Sequence, residues 1–158
     1  MADAGTDDAN GANDDNDDSG AAAVGIDPAN QPKPIASVSG TTARVEGIKS
    51  LTVELLELRR RDKVLYGSFR VTANGDYEGA KQLYELFGVG LHWLPGLIDT
   101  SNLKMYEAIS ETTSSMLVEL RSNQPAYIHS AWAYPEGAKS VDIEITSGLP
   151  IMHGVTVP

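Results

Sequence analysis

From Leu51 onward the chain repeatedly places an apolar residue at every second position, and this period constrains its fold more than any other feature. Successive side chains on a strand point to opposite faces. Period two therefore turns one row toward a core and the other toward solvent. The clearest run is "SVDIEITS", where Val141, Ile143 and Ile145 alternate with Asp142, Glu144 and Thr146. In "SLTVELLELRRRDKVLYGSFRVTANGD", Leu51, Val53 and Leu55 alternate with Thr52 and Glu54. The phase then slips at Leu55-Leu56, which predicts a β-bulge. Leu65, Phe69 and Val71 mark a second run beyond the charged turn around Arg61-Asp62, so the two runs read as a β-hairpin.

Further strand signals follow. They are "GLHWLPGLID" with its proline kink, "NLKMYEAI", "SMLVELRS", "AYIHSAWAY" with Ile128, Trp132 and Tyr134 on one side, and "IMHGVTV". Turn signals such as "NGD", "SNQP" and "PEG" separate them. The exception is "YEGAKQLYELFG" (Tyr77–Gly88), where Ala80, Leu83 and Phe87 share a helical face and Gly88 suits a C-terminal cap. A short helix or a long crossing loop is expected over 77–88. There is no internal repeat. About seven to nine short strands at regular spacing predict a mainly all-β chain folded as an antiparallel β-sandwich, with Trp132 as the core anchor.

Composition bears chiefly on the N-terminus. Residues 1–40 contain eight Asp, no Glu, no aromatic residue and a single basic residue, Lys33. They carry a net −7, leaving −3 of the total −10 for the other 118 residues. Ordering such a segment costs about 1–2 kcal/mol of backbone entropy per residue, and it has little to bury. Residues 1–40 are therefore expected to be a disordered acidic tether, stiffened over "DPANQPKP" (Asp27–Pro34), and residues 41–158 the β-sandwich domain. The near-neutral remainder lacks the basic face that nucleic acid or an anionic membrane requires. With no cysteine, disulfides, thiolate metal sites and a cysteine nucleophile are excluded from these residues. The apolar run "LFGVGLHWLPGLI" is too short and too broken to span a bilayer. Met1 leads into "ADAGTDD", with neither the basic start nor the apolar block of a signal peptide. An exported chain would have lost its address upstream.

Candidate chemistry begins in the same tail. In "NDDNDDSG", Asp15, Asp17 and Ser19 take positions one, three and five of a calcium loop, and Gly20 takes position six. The second half departs from that pattern, since position nine is Ala23 and the closing bidentate Glu is replaced by Ile26. The tract is expected to be a self-repelling spacer, with weak calcium-dependent adhesion as the alternative. Each of the three histidines, His92, His129 and His153, falls on a different predicted strand, without metal-ligand spacing. No "GxSxG" elbow presents a serine nucleophile, and "TTSSM" reads as a polar loop. Asp99, Glu107, Glu111 and Glu119 could be combined into carboxylate pairs, as could the charges of any β-domain. "GVGLHWLPG" lacks the lysine and the following helix of a phosphate cradle. No cofactor is implied. "RRRDK", with Arg59, Arg60 and Arg61, is a solvated hairpin tip that also discourages edge pairing, and could contact an acidic partner.

Taken together, "VELLELRRRDKVLYGSFRVTANGD", "GLHWLPGLIDTSNLKMYEAI" and "AYIHSAWAYPEGAKSVDIEITSGLPIMHGVTVP" resemble the immunoglobulin-like domain of actinobacterial exported lipoproteins. That domain often stands ahead of an OmpA-like peptidoglycan-binding domain. Leu97-Ile98-Asp99, Tyr134-Pro135, Val141-Asp142-Ile143 and Gly154-Val155-Thr156-Val157 occupy the places of its motifs, over roughly residues 44–158. Where relatives often carry two closely spaced cysteines, this chain has "SETTSS", and no OmpA-like domain follows within these residues. The resemblance implies an extracytoplasmic, cell-envelope setting, reached through a lipid anchor lost with the precursor. It also implies a non-enzymatic module that spaces or binds, and it brings no catalytic residues. The expected function is contact with a protein or a cell-wall polymer from the end of the acidic tether. Arg59, Arg60, Arg61, His92 and His129 are the candidate binding residues. A hydrolase with a histidine- and carboxylate-lined groove is the alternative.

Overall fold

The computed structural model of the chain describes residues 20–41, 45–89 and 93–158. Along the chain run β1 (Ala36–Gly40), β2 (Ile48–Arg61), β3 (Val64–Gly75), β4 (Ala80–Gln82), α1 (Leu83–Phe87), β5 (Gly96–Asp99), β6 (Lys104–Glu107), β7 (Glu119–Arg121), β8 (Pro125–Ala133), β9 (Ser140–Glu144) and β10 (Met152–Thr156). One four-stranded sheet has the order β1-β2-β3-β8, the other β10-β9-β5-β6, and β4 pairs with β7 in a small ribbon. All strand pairs are antiparallel. The sheets approach at two edges, β1 beside β10 and β6 beside β8, and their inner rows share one apolar core. The fold is the expected all-β sandwich, with ten strands among the described residues rather than seven to nine, since β1 lies in the expected tether and β4 in the expected helix or loop.

The alternating runs supply that core as their period requires. Leu51, Val53 and Leu55 of β2, Leu65, Phe69 and Val71 of β3, and Val141 and Ile143 of β9 are at most 1% exposed. Trp132 is buried as anticipated and donates its indole N–H to the Pro95 carbonyl at 2.8 Å. A second tryptophan, Trp93, donates to the Ile145 carbonyl at 2.7 Å. The Phe69 ring lies edge-on to both, with centroids 6.0 Å from Trp93 and 6.4 Å from Trp132. Such pairs contribute about 0.5–1.5 kcal/mol beyond the area they bury. Gly67 makes room for this cluster, because a Cβ there would lie 3.1 Å from the Trp132 ring and 3.2 Å from Phe69.

The β2–β3 hairpin turns at Asp62-Lys63, with Arg61 opposite Val64. Asp62 takes φ 53°, a left-handed conformation that Asp tolerates better than most residues. The predicted bulge is present: Leu55 faces Phe69 and Glu57 faces Ser68, leaving Leu56 as the extra residue. Leu56 takes the outer face, as Thr52 and Glu54 do, and the slip returns Leu58 to the main core. On that outer face Leu56 packs with Tyr127, Ala21 and Ile26.

This second cluster corrects the boundary expected near Gly40. Residues 20–40 belong to the folded part: Ala21 is 0% and Ile26 8% exposed. A 3-10 turn at Ala22–Val24 places them over Leu56, and Gly20 packs where a Cβ would meet the Tyr127 carbonyl at 2.8 Å. Gln31 accepts a hydrogen bond from Arg70, which also pairs with Glu54 at 2.6 Å. Ile35 N–H bonds to the Leu55 carbonyl at 2.7 Å, and β1 then pairs with β2 from Ala36↔Leu55 onward. Two apolar residues on an outward face need cover, and the nearest chain supplies it despite its linker-like composition.

Over 77–88 the expected short helix is present, preceded by the short strand β4 and not by a long crossing loop. Leu83–Phe87 is helical, with a Gln82/Glu85 capping box and Gly88 at φ 66° as the C-cap. Ala80 does not share that helical face; it lies in β4, opposite Arg121. Leu83, Leu86 and Phe87 are buried in the main core.

Candidate functional site

The arginine cluster is divided by the strand that carries it. Alternation sends Arg59 and Arg61 to one side of β2 and Arg60 to the other. The Arg60 guanidinium lies 3.8 Å above the Tyr134 ring centroid, 3.6 Å from Glu136, and donates to the Asp62 carbonyl at 3.1 Å. Arg59 lies 3.9 Å from Glu57, with both side chains about half exposed. Exposed pairs of this kind are worth ~0–1 kcal/mol. The three arginines do not form one fork for an anion.

His129 lies on β8, opposite Ser68 in β3. Its Nδ1 is 2.9 Å from Ser114 Oγ, and that hydroxyl also accepts from the His129 backbone N–H at 2.8 Å. Ser114 N–H donates to the His129 carbonyl at 2.9 Å. The contacts fasten the segment after β6 along the free edge of β8, a task that Ile109 N–H to Ala131 O continues at 2.7 Å. Burial lowers the His129 pKa from its ordinary 6.5. His153 belongs to the opposite sheet, where Nδ1 lies 2.8 Å from Asp142 Oδ2. The other Asp142 oxygen accepts the Gly154 N–H at 2.8 Å, and this bond, followed by His153, lowers the Asp142 pKa. Gly154, at φ 64°, sits in the irregularity between Met152 and Val155 that allows both contacts.

His129 and His153 thus sit on different sheets, and His92 lies outside the described residues. Among the described residues no three His, Cys, Asp or Glu side chains are placed to hold a metal. Asp15, Asp17 and Ser19 also lie outside them. Of the calcium-loop pattern, Gly20–Ile26 is described, and its closing position, Ile26, is packed into the apolar cluster under the turn. The four carboxylates considered as catalytic pairs lie on separate elements. Asp99 ends β5, Glu107 ends β6, Glu111 is in a 3-10 turn and Glu119 begins β7.

Asp99 is buried and accepts from Ser101 N–H, Asn102 N–H and the Asn102 side-chain amide, at 3.1, 3.1 and 2.7 Å. These bonds, the Asn102 side chain first, lower its pKa below the ordinary 3.8. The clamp fixes the β5–β6 turn, in which Leu103 takes φ 54° while 91% exposed. A left-handed backbone costs a branched side chain about 1–2 kcal/mol, and here the exposed leucine recovers none of it by burial.

A groove of about 270 Å³ opens beside this hairpin, on the outer face of the second sheet. Its lining includes Val89, Trp93, Leu94, Gly96, Met105 and Glu144. Gly96 is its floor, since a Cβ there would lie 2.8 Å from Met105 Cε and 3.9 Å from Glu144 Cβ. Leu94 is 49% and Met105 63% exposed, which with Leu103 places three large apolar side chains in solvent around one hairpin. Sequence reading passes over this site because "GLHWLPGLID" and "NLKMYEAI" appear simply as strands. The available signal is a methionine at an outward position opposite Ile98, on a sheet face also carrying a glycine. No family model, curated protein or solved structure matches the chain.

Proposed function

We propose that this β-sandwich is a non-enzymatic, extracytoplasmic module of the cell envelope, which contacts a protein or cell-wall polymer from the end of an acidic N-terminal segment. The observation that carries the interaction reading is the concentration of exposed apolar side chains at Leu94, Leu103 and Met105, around a groove on an otherwise polar sheet face. Apolar surface held in water, rimmed by polar groups, marks contact surfaces more often than it marks anything else. The setting is supported by the motifs that resemble those of exported lipoproteins, and by the charge of residues 1–19, seven Asp with no basic residue, a composition that suits a spacer.

Fractionation of the native host tests the setting. The tagged full-length protein is expected with the envelope, and open to protease added outside cells whose membrane is intact. A protected protein in the cytosolic fraction would overturn the reading.

A further inference from the structure

We infer that the β6 edge and the adjoining groove form a docking site for an extended peptide of a partner protein, carrying an apolar side chain and a lysine or arginine two residues apart. The inference deepens the interaction reading above and rests on it. β6 is a terminal strand of its sheet and pairs with β5 alone, and Lys104, Met105 and Glu107 are exposed. Half of its backbone hydrogen-bonding groups therefore face outward, which is the template that strand addition uses.

Register then fixes which side chains an added strand would meet. Residues directly opposite one another share a face, and every second residue of a strand returns to it. Met105 and Glu107, two apart on β6, both stand on the outer face, opposite Ile98 and Gly96. A peptide along β6 therefore sets one side chain beside Met105 and another, two residues away, beside Glu107. The first meets Met105 and the exposed Leu103, and is apolar. The second meets a carboxylate and, beyond it, the Met105 methyl lying over Gly96, whose missing side chain leaves that surface low.

On the far side of Gly96 stands Glu144, opposite it in β9 and lining the groove. Neighbouring strands are ~4.8 Å apart. A long cationic side chain lying over Glu107 thus points across the flexible end of Met105, which lies over Gly96, toward Glu144. No lysine or arginine lines the groove among the described residues, and neither Glu107 nor Glu144 forms an ion pair there. The lane is acidic at both ends and floored by the flexible Met105 end, which selects a cation on an apolar strand and repels an acidic one.

Selection of random ten-residue peptides displayed on phage, against the full chain, tests the site. Enriched sequences are expected to hold an apolar residue and a Lys or Arg two apart. Synthetic versions should shift the backbone amide resonances of 103–107. Gly96→Val fills the floor against only the flexible end of Met105, and should weaken such peptides by about tenfold or more. Met105→Glu, at an exposed position that cannot unfold the domain by burial, should do the same. Enrichment of acidic or patternless peptides, no enrichment, or binding that survives both substitutions would overturn the site. Peptides that bind another face remove this site while leaving the interaction reading standing. A cytosolic protein in the fractionation removes that reading whatever the peptides do.

Discussion

At the scale of single residues, polar side chains in this molecule are mostly committed to holding backbone in place. Asp99 clamps a turn, Asp142 captures the Gly154 N–H, and Ser114 ties a loop to β8 through His129. All three make stability depend on pH, and His129 and Asp142 give the tests. Burial lowers the His129 pKa, so the unfolded chain takes up a proton near 6.5 while the folded one resists. Its contribution is complete above that value and is lost as pH falls below it. His129→Gln should reduce the difference between melting temperatures measured at roughly pH 7.5 and pH 5. Asp142 is also lowered, so its contribution is present above 3.8 and lost as pH falls through the lower folded value. Asp142→Asn should flatten the acid limb of the same curve. Packing makes a third prediction. Gly67→Val drives methyl groups into Trp132 and Phe69, and should lower urea stability by about 1–3 kcal/mol.

At the scale of elements, the β2 bulge decides more than its one residue suggests. It brings Leu58 back to the main core beside Leu55, while Leu56 stays outward against the N-terminal strap. The slip was legible as adjacent leucines in an alternating run. The cover over Leu56 was not, because Ala21 and Ile26 lie in a stretch of Ala, Gly, Asp and Pro that reads as linker by composition. Burial of two small patches is invisible to a hydrophobic average. The long strands, Trp132 and the Gly88 cap were readable because period and cap chemistry are local. The β10-β9-β5-β6 face was not, since Met105, Gly96 and Glu144 come together only through strand pairing. Ile26→Ala and Leu56→Ala should each cost about 2 kcal/mol, the low end for core truncations. The double variant should lose less than the sum, by about 0.5–1 kcal/mol, because the residues share one cluster. Hydrogen exchange over 21–26 should accelerate in either variant while that of β3 stays slow.

At the scale of the whole molecule, the two sheets present different outer faces. The β1-β2-β3-β8 face is covered by residues 20–35 over Leu56 and Tyr127, and at its far end carries Arg59. The β10-β9-β5-β6 face stays open, with its groove, an unpaired edge strand and a leucine held in solvent by a rigid turn. The central claim is that the open face is the working one. The most direct measurement places a photo-reactive benzoylphenylalanine at Met105, or alternatively at Arg59, in the full-length protein and irradiates living cells of the native host. A cross-link to a partner protein from position 105 and none from position 59 is the predicted result. Cross-links from position 59 alone, or from neither position, would contradict it.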